Sequence, residues 1–198
     1  MIQELLAELT DYLSQTGREE DLAEAKATYF KESGGLFGDE QSYDMRIANF
    51  LEWYIFDRRL GGSTLIDDFI IAISDDEKRK AFQELGQGVR SIFEIKKVSK
   101  DSISFKDLKD GKKYVALALT GVDGFNKGAI IDARLLPQNN HLYLSSSCLF
   151  HHEGSKKFIT AMIKDAYKRQ ELTAALTSLA NMSLKWEKYR NYKAEDIY

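Results

Sequence analysis

The stretch Phe50-Leu-Glu-Trp-Tyr-Ile-Phe-Asp57-Arg-Arg-Leu-Gly-Gly-Ser-Thr64 decides how the chain is read. Ile47, Phe50, Leu51, Tyr54 and Ile55 fall at i, i+3, i+4, i+7 and i+8, which predicts a helix with one buried apolar stripe. The double glycine Gly61-Gly62 breaks that helix. Thr64, three residues before Asp67, then reads as the capping start of a short helix whose face is Ile66, Phe69, Ile70 and Ile73.

Upstream, Ile2, Leu5, Leu6, Leu9 and Leu13 share one helical face, and Gly17 follows as a stop. Glu19, Glu20 and Asp21 suit the positive end of a second helix running to about Phe30. The connector at 33–40 is rich in glycine and acid and has no lysine, so it reads as a surface loop, not a phosphate cradle. Downstream, Ser74 and Glu77 have the spacing of a capping box for a helix ended by Gly86.

The period then changes. Segments 91–98, 102–107, 113–119, 129–136 and 141–147 are short, branched or aromatic, and bounded by turn signals. Asp110-Gly111 and Asn139-Asn140 read as hairpin turns, and Pro137 as a strand end. Ser155 is placed to cap a helix bearing Phe158, Ile159, Met162, Ile163, Ala166 and Tyr167. Another helix follows with Leu172, Leu176, Leu179 and Trp186. The predicted fold is α+β. A helical part at 1–88 packs as one unit on 89–198, which holds a small antiparallel five-strand sheet or barrel and two C-terminal helices.

The 198 residues suffice for one large domain or two small packed ones. The segment 1–14 alternates acids and leucines, unlike a signal peptide, and no window approaches 18 apolar residues. The single cysteine, Cys148, cannot form an internal disulfide and fits a reducing compartment, so the expected location is the cytoplasm, off the membrane. The net charge of −3 hides an asymmetry: residues 1–88 carry 19 acids and 9 bases, a balance of −10, and the rest 12 acids and 19 bases, a balance of +7. Two readings follow. The halves attract each other, within one molecule or between copies of a homo-oligomer, or the basic half meets an anionic partner.

Several motifs carry residue types suited to chemistry. Cys148, His151, His152 and Glu153 offer ligand types for a metal, but there is no second cysteine, and adjacent histidines on a strand face opposite ways. Ser145, Ser146, Ser147 and Cys148 offer nucleophiles without a glycine elbow. Asp67 and Asp68 are explained by a helix end. The loop Asp123-Gly-Phe-Asn-Lys-Gly128 resembles the Asp-x-Ser-x-x-Gly element of small barrels that bind cyclic dinucleotides. Phe125 stands in place of the serine, however, and no Arg-x-x-x-Arg pair precedes the first strand, so the anion-gripping parts are missing. No cofactor or metal is expected.

The pattern Phe50-x-Glu-Trp-Tyr-x-Phe-Asp57 with Gly62-x-Thr64 resembles a motif in a loose set of uncharacterised bacterial proteins, and Gly128-Ala-Ile-Ile-Asp-Ala-Arg-Leu135 resembles their later barrel strand. The resemblance implies helices followed by a small barrel. Some members of that set carry a zinc-binding Cys/His tail. This chain has none, and no zinc role carries over.

No constellation supplies nucleophile, base and stabiliser together, so the chain reads as a non-enzymatic interaction or adaptor protein with a protein partner. Trp186, Tyr189, Arg190 and Lys193 are the predicted partner contacts. The same rings and cations define a nucleic-acid alternative. A second alternative is an enzyme or small-ligand binder with a pocket between the helical and β parts, formed by Glu52, Asp57 and Arg134.

Overall fold

The structure, a computed structural model, describes residues 2–38, 41–189 and 191–198. Five helices come first: α1 (Ile2–Gln15), α2 (Glu19–Glu32), α3 (Tyr43–Phe56), α4 (Leu65–Ala72) and α5 (Asp76–Leu85). Six strands follow: β1 (Val89–Val98), β2 (Ser102–Asp107), β3 (Lys113–Ala118), β4 (Ile130–Gln138), β5 (His141–Leu144) and β6 (Leu149–His151). Helices α6 (Lys156–Arg169) and α7 (Leu172–Lys188) complete the order expected from the periodicities. Asp39 and Glu40, in the acidic connector, lie outside the described residues.

The helical layer is built on rings. Phe50 and Tyr54 of α3 are buried, as their spacing requires; Phe50 meets Tyr29 and Phe30 of α2, and the Tyr54 hydroxyl donates to Asp21 of α2 at 2.6 Å. Tyr29 lies 5.0 Å from Trp53, centroid to centroid. Tyr12, Phe69 and Phe82 link α1, α4 and α5 through ring contacts of 4.7 Å each. Gly61 and Gly62 have φ of 63° and 100°, a backbone that glycine adopts without penalty. Thr64 then makes the anticipated capping box, with its hydroxyl accepting from Asp67 N and the Asp67 carboxylate accepting from Thr64 N.

The expected cap of α5 is corrected. Asp75, not Ser74, is the N-cap, and its carboxylate accepts from Lys78 N at 2.9 Å. Both residues are cap formers, and the carboxylate one position later takes the site. Ser155 precedes α6 as expected, but its hydroxyl donates to the carbonyl of His152 at 2.5 Å and caps no helical amide.

The strands close into a barrel in the order β1-β2-β3-β5-β4, with β4 pairing back onto β1. In strand order alone this is an OB-type Greek-key barrel. One pair departs from the antiparallel expectation: β3 and β5 run parallel, Leu117 opposite Tyr143 and Ala118 opposite Leu144. A closed ring of five strands cannot be antiparallel throughout, and with the other four pairs antiparallel β3 and β5 must run the same way. The short strand β6 adds to β4 outside the five-strand ring. A bulge between Ile95 and Lys97 bends β1, which pairs with β4 through its first half and with β2 through its second. Asn139 and Asn140 form the β4–β5 turn with φ of 50° and 61°, the paired left-handed backbone of a two-residue hairpin. Pro137 sits inside β4, opposite Leu142.

Alternation along the strands divides the burial. Phe93, Ile95, Ile103, Phe105, Ile131, Ala133 and Leu135 fill the barrel. Ile92 and Ile130 point outward under α6 and α7, and Leu136 joins the core of the N-terminal helices. Gly88, between α5 and β1, passes close to the barrel: a Cβ there would lie 3.1 Å from Leu136 Cδ2 and 3.3 Å from the carbonyl of Leu135. The helical layer also touches α7, where Asn181 Nδ2 donates to the carbonyl of Glu32 at 3.4 Å. No helix of the described residues is long and apolar enough to cross a membrane.

Candidate functional site

The motif in α3 and the outward face of β4 meet in a buried polar centre. Alternation puts Asp132 and Arg134 on the same side of β4, toward the helices. Glu52 and Asp57, placed by α3 and its C-cap, reach down to them. The Asp57 carboxylate accepts from Arg134 Nη2, and Glu52 Oε2 lies 3.7 Å from Arg134 Nε. The Arg134 guanidinium also lies over the Phe56 ring, 4.7 Å from its centroid. The three residues predicted to line a pocket are therefore together.

Arg90 of β1 extends the network. It donates to both carboxylate oxygens of Asp132, at 3.2 and 3.0 Å, and to Asn49 Oδ1 at 2.9 Å, and it approaches Asp57 at 3.6 Å. The Tyr29 hydroxyl donates to the same Asn49 oxygen at 2.5 Å. Burial opposes the charge on Arg90, but Asp132, Tyr29 and Asp57 outweigh it and hold the guanidinium protonated. Burial raises the pKa of Glu52, and Arg134 only partly offsets this. Ser147 and Ser145 also lie near enough to favour the Glu52 carboxylate, although neither hydroxyl completes a hydrogen bond.

Chemically this is a clamp. Acids of the helical part, Glu52 and Asp57, meet bases of the β part, Arg134 and Arg90, inside one molecule. The network buries two guanidinium groups among three carboxylates, and such groups are costly to separate. Arg90, Asn49 and Asp132 escaped the sequence reading as site residues. Asp132 stood inside the quoted strand motif, and its place two residues before Arg134 was the available signal.

The other candidates are dispersed. Cys148 is buried, and its thiol pKa is pushed up by burial, with Glu52 and Asp132 adding to the effect, so the thiolate is suppressed. His151 is buried within β6, its Nδ1 3.2 Å from the Tyr198 hydroxyl, and burial lowers its pKa to about 4. His152 faces away. Its Nδ1 accepts from Gly154 N, and its ring lies 5.0 Å from Trp186. No group of three or more His, Cys, Asp or Glu among the described residues is arranged to hold a metal ion. The 119–129 connection folds over the barrel, with Val122 and Phe125 packed on its core.

The predicted partner contacts lie at the end of α7. Trp186 lines a groove of about 270 Å³ with Met45, Cys148, Phe150 and Leu184. Tyr189 and Tyr192 are 55% and 62% exposed, with ring centroids 6.0 Å apart, and Lys193 is exposed nearby in sequence. Lys188 Nζ sits 3.3 Å from the centroid of the half-exposed Phe37 ring. Arg190 lies outside the described residues.

The chain belongs to the family of unknown function DUF7986, which it matches over residues 2–195. No curated protein and no solved structure matches it.

Proposed function

We propose that this chain is a non-enzymatic interaction protein whose protein partner docks an acidic, partly apolar segment on the face formed by the α7 groove and the tyrosines beyond it. The observation that carries the reading is a groove whose lining combines Met45, Leu149, Leu184 and Trp186 with Gln41, Arg46 and Glu187, followed directly in sequence by exposed rings and lysines. Lys185 and Lys188 are exposed on the last turn of α7, and exposed aromatic groups beside cations favour partner contacts. The paired state of the buried charges supports a role for the centre in assembly of the fold, without catalysis. The family resemblance and the single buried cysteine favour the bacterial cytoplasm as the setting.

The test is a photo-crosslinking residue at Tyr192 in native cells, with Ile71, 80% exposed on α4, as the control position. A discrete cross-linked product from Tyr192, absent from Ile71 and diminished by Lys185→Glu with Lys188→Glu, is expected. The same products from both positions, or none from Tyr192, would overturn the reading.

The exposed Tyr189 and Tyr192 rings favour a second reading, in which they stack on bases of a single-stranded nucleic acid. Trp186 is less suited than the sequence implied, because His152 already occupies part of its surface. Binding of a labelled oligonucleotide that falls with salt at a log–log slope of about −0.7 per contact, and that Tyr189→Ala weakens, would support it. No binding at low salt would sink it.

A further inference from the structure

Over β2 and β3 the barrel presents an exposed, basic outer face. Phe105 and Ala116 point into the barrel, so alternation turns Ser104 and Lys106 of β2, and Lys113 and Val115 of β3, outward. Register sets Lys106 directly opposite Lys113, and sets Ser104 between Val115 of β3 and Lys97 of β1. Lys97, Lys106 and Lys113 are all exposed. Lys106 also lines a depression of about 210 Å³ against α6, with Thr160 and Lys164. The depression shares no lining residue with the α7 groove.

Lys106 and Lys113 are the informative pair. Like charges directly opposite on one sheet face repel and lower stability. The carboxylates that line the same depression are engaged elsewhere. Glu94, across from Lys106 on β1, accepts from Lys96 at 3.1 Å and from Lys156 at 2.7 Å. Asp107 is fully buried and is held by Ser91 and Lys109. Asp110 lies 3.4 Å from the Lys112 ammonium and accepts from the Lys112 backbone N–H. The side chains of Lys97, Lys106, Lys113 and Lys164 form no hydrogen bond or ion pair among the described residues.

Four unanswered lysines beside the hydroxyls of Ser104 and Thr160 are the side-chain types that grip the phosphate oxygens of a nucleic-acid backbone. The three strands turn no exposed aromatic ring outward on which an unpaired base could stack. Val115, 61% exposed, is their one large exposed apolar side chain, which offers little to enter a bilayer. We propose that this face docks the backbone of duplex nucleic acid, with Lys97, Lys106 and Lys113 on its phosphates and Lys164 flanking them. Such contacts fix the protein on the duplex and carry no sequence information.

The experiment is fluorescence anisotropy of the full chain with a short labelled DNA duplex in rising salt. Micromolar binding at low salt is expected, falling with a log–log slope of about −0.9 for each phosphate neutralised. Lys106→Gln with Lys113→Gln should weaken binding about tenfold and make the slope shallower by about 1.8. Lys26→Gln with Lys80→Gln, at exposed positions of α2 and α5, changes the net charge equally and should leave the slope as it is. Removing the opposed lysines should leave the melting temperature level or raised, which separates a lost contact from a lost fold. The same titration with a single strand and with phosphatidylserine vesicles tests the other anionic partners. No duplex binding at low salt, tighter binding of the single strand or of the vesicles, or equal affinities in the two double variants would overturn the proposal. None of these results bears on the α7 face, which the Lys185 and Lys188 variants address independently.

Discussion

Asp57, at the C-terminal end of α3, accepts a hydrogen bond from Arg134 of β4 across 77 residues of sequence. The pair joins the C-terminal end of α3 to β4 and so ties the helical layer to the barrel. Glu52 and Phe56 of the same helix attend the same guanidinium. Phe50 and Tyr54 are buried on the helix face that packs against α2.

Dependence of the helical layer on the barrel is the first consequence. Leu136 lies in the core of the helices, and Gly88 carries the chain into the barrel where a Cβ would be crowded by Leu136 and two backbone carbonyls. Expression of residues 1–87 and 88–198 separately should give insoluble or molten fragments. Two soluble fragments, each with a cooperative thermal transition, would show that neither needs the other.

A local prediction concerns α5. Asp75→Ala should lower stability by about 1 kcal/mol, because it removes the acceptor for Lys78 N, whereas Ser74→Ala should be close to neutral. Urea titrations of both variants check it. Equal losses would restore Ser74 to the capping role.

His151 sets a pH dependence. Its folded pKa, about 4, lies below the ordinary value of 6.5, so between these values the unfolded chain binds more protons than the folded one. Stability is therefore intact above 6.5 and is lost as pH falls toward 4, by about 3 kcal/mol from this residue at the lower limit. Glu52, whose folded pKa is raised, acts in the opposite sense, with stability falling as pH rises through its range. Comparing the wild type with His151→Leu isolates the histidine. Parallel stability curves from pH 7 to pH 4 would contradict the assignment.

Local patterns made most of the fold legible. The stripe Phe50–Tyr54 and the Thr64–Asp67 box each lie within one or two helical turns, where spacing alone determines the outcome. Ser74 and Asp75 were not separable, since either side chain can cap and only the backbone path selects between them. The parallel pairing of β3 with β5 follows from closing an odd number of strands, and closure itself is a tertiary outcome that no local pattern encodes. Glu52, Asp57 and Arg134 were grouped in the sequence as the polar groups of a pocket; the structure brings them together as ion pairs, and the contacts of Arg90 and Asn49 that complete the network are set by tertiary approach. The excess of bases in the second half was legible, but the opposition of Lys106 and Lys113 on one face of the barrel depends on the strand register.

The account rests most directly on the clamp, and a double-mutant cycle of Asp57→Asn and Arg134→Met tests it. Each substitution alone removes the direct Asp57–Arg134 bond and leaves the remaining group only a longer contact, Glu52 at 3.7 Å from Arg134 or Arg90 at 3.6 Å from Asp57. Equilibrium unfolding of the two single variants and the double variant should give a coupling of about 2 kcal/mol, with the double variant less destabilised than the sum of the singles. Strictly additive losses would contradict a clamp between α3 and β4.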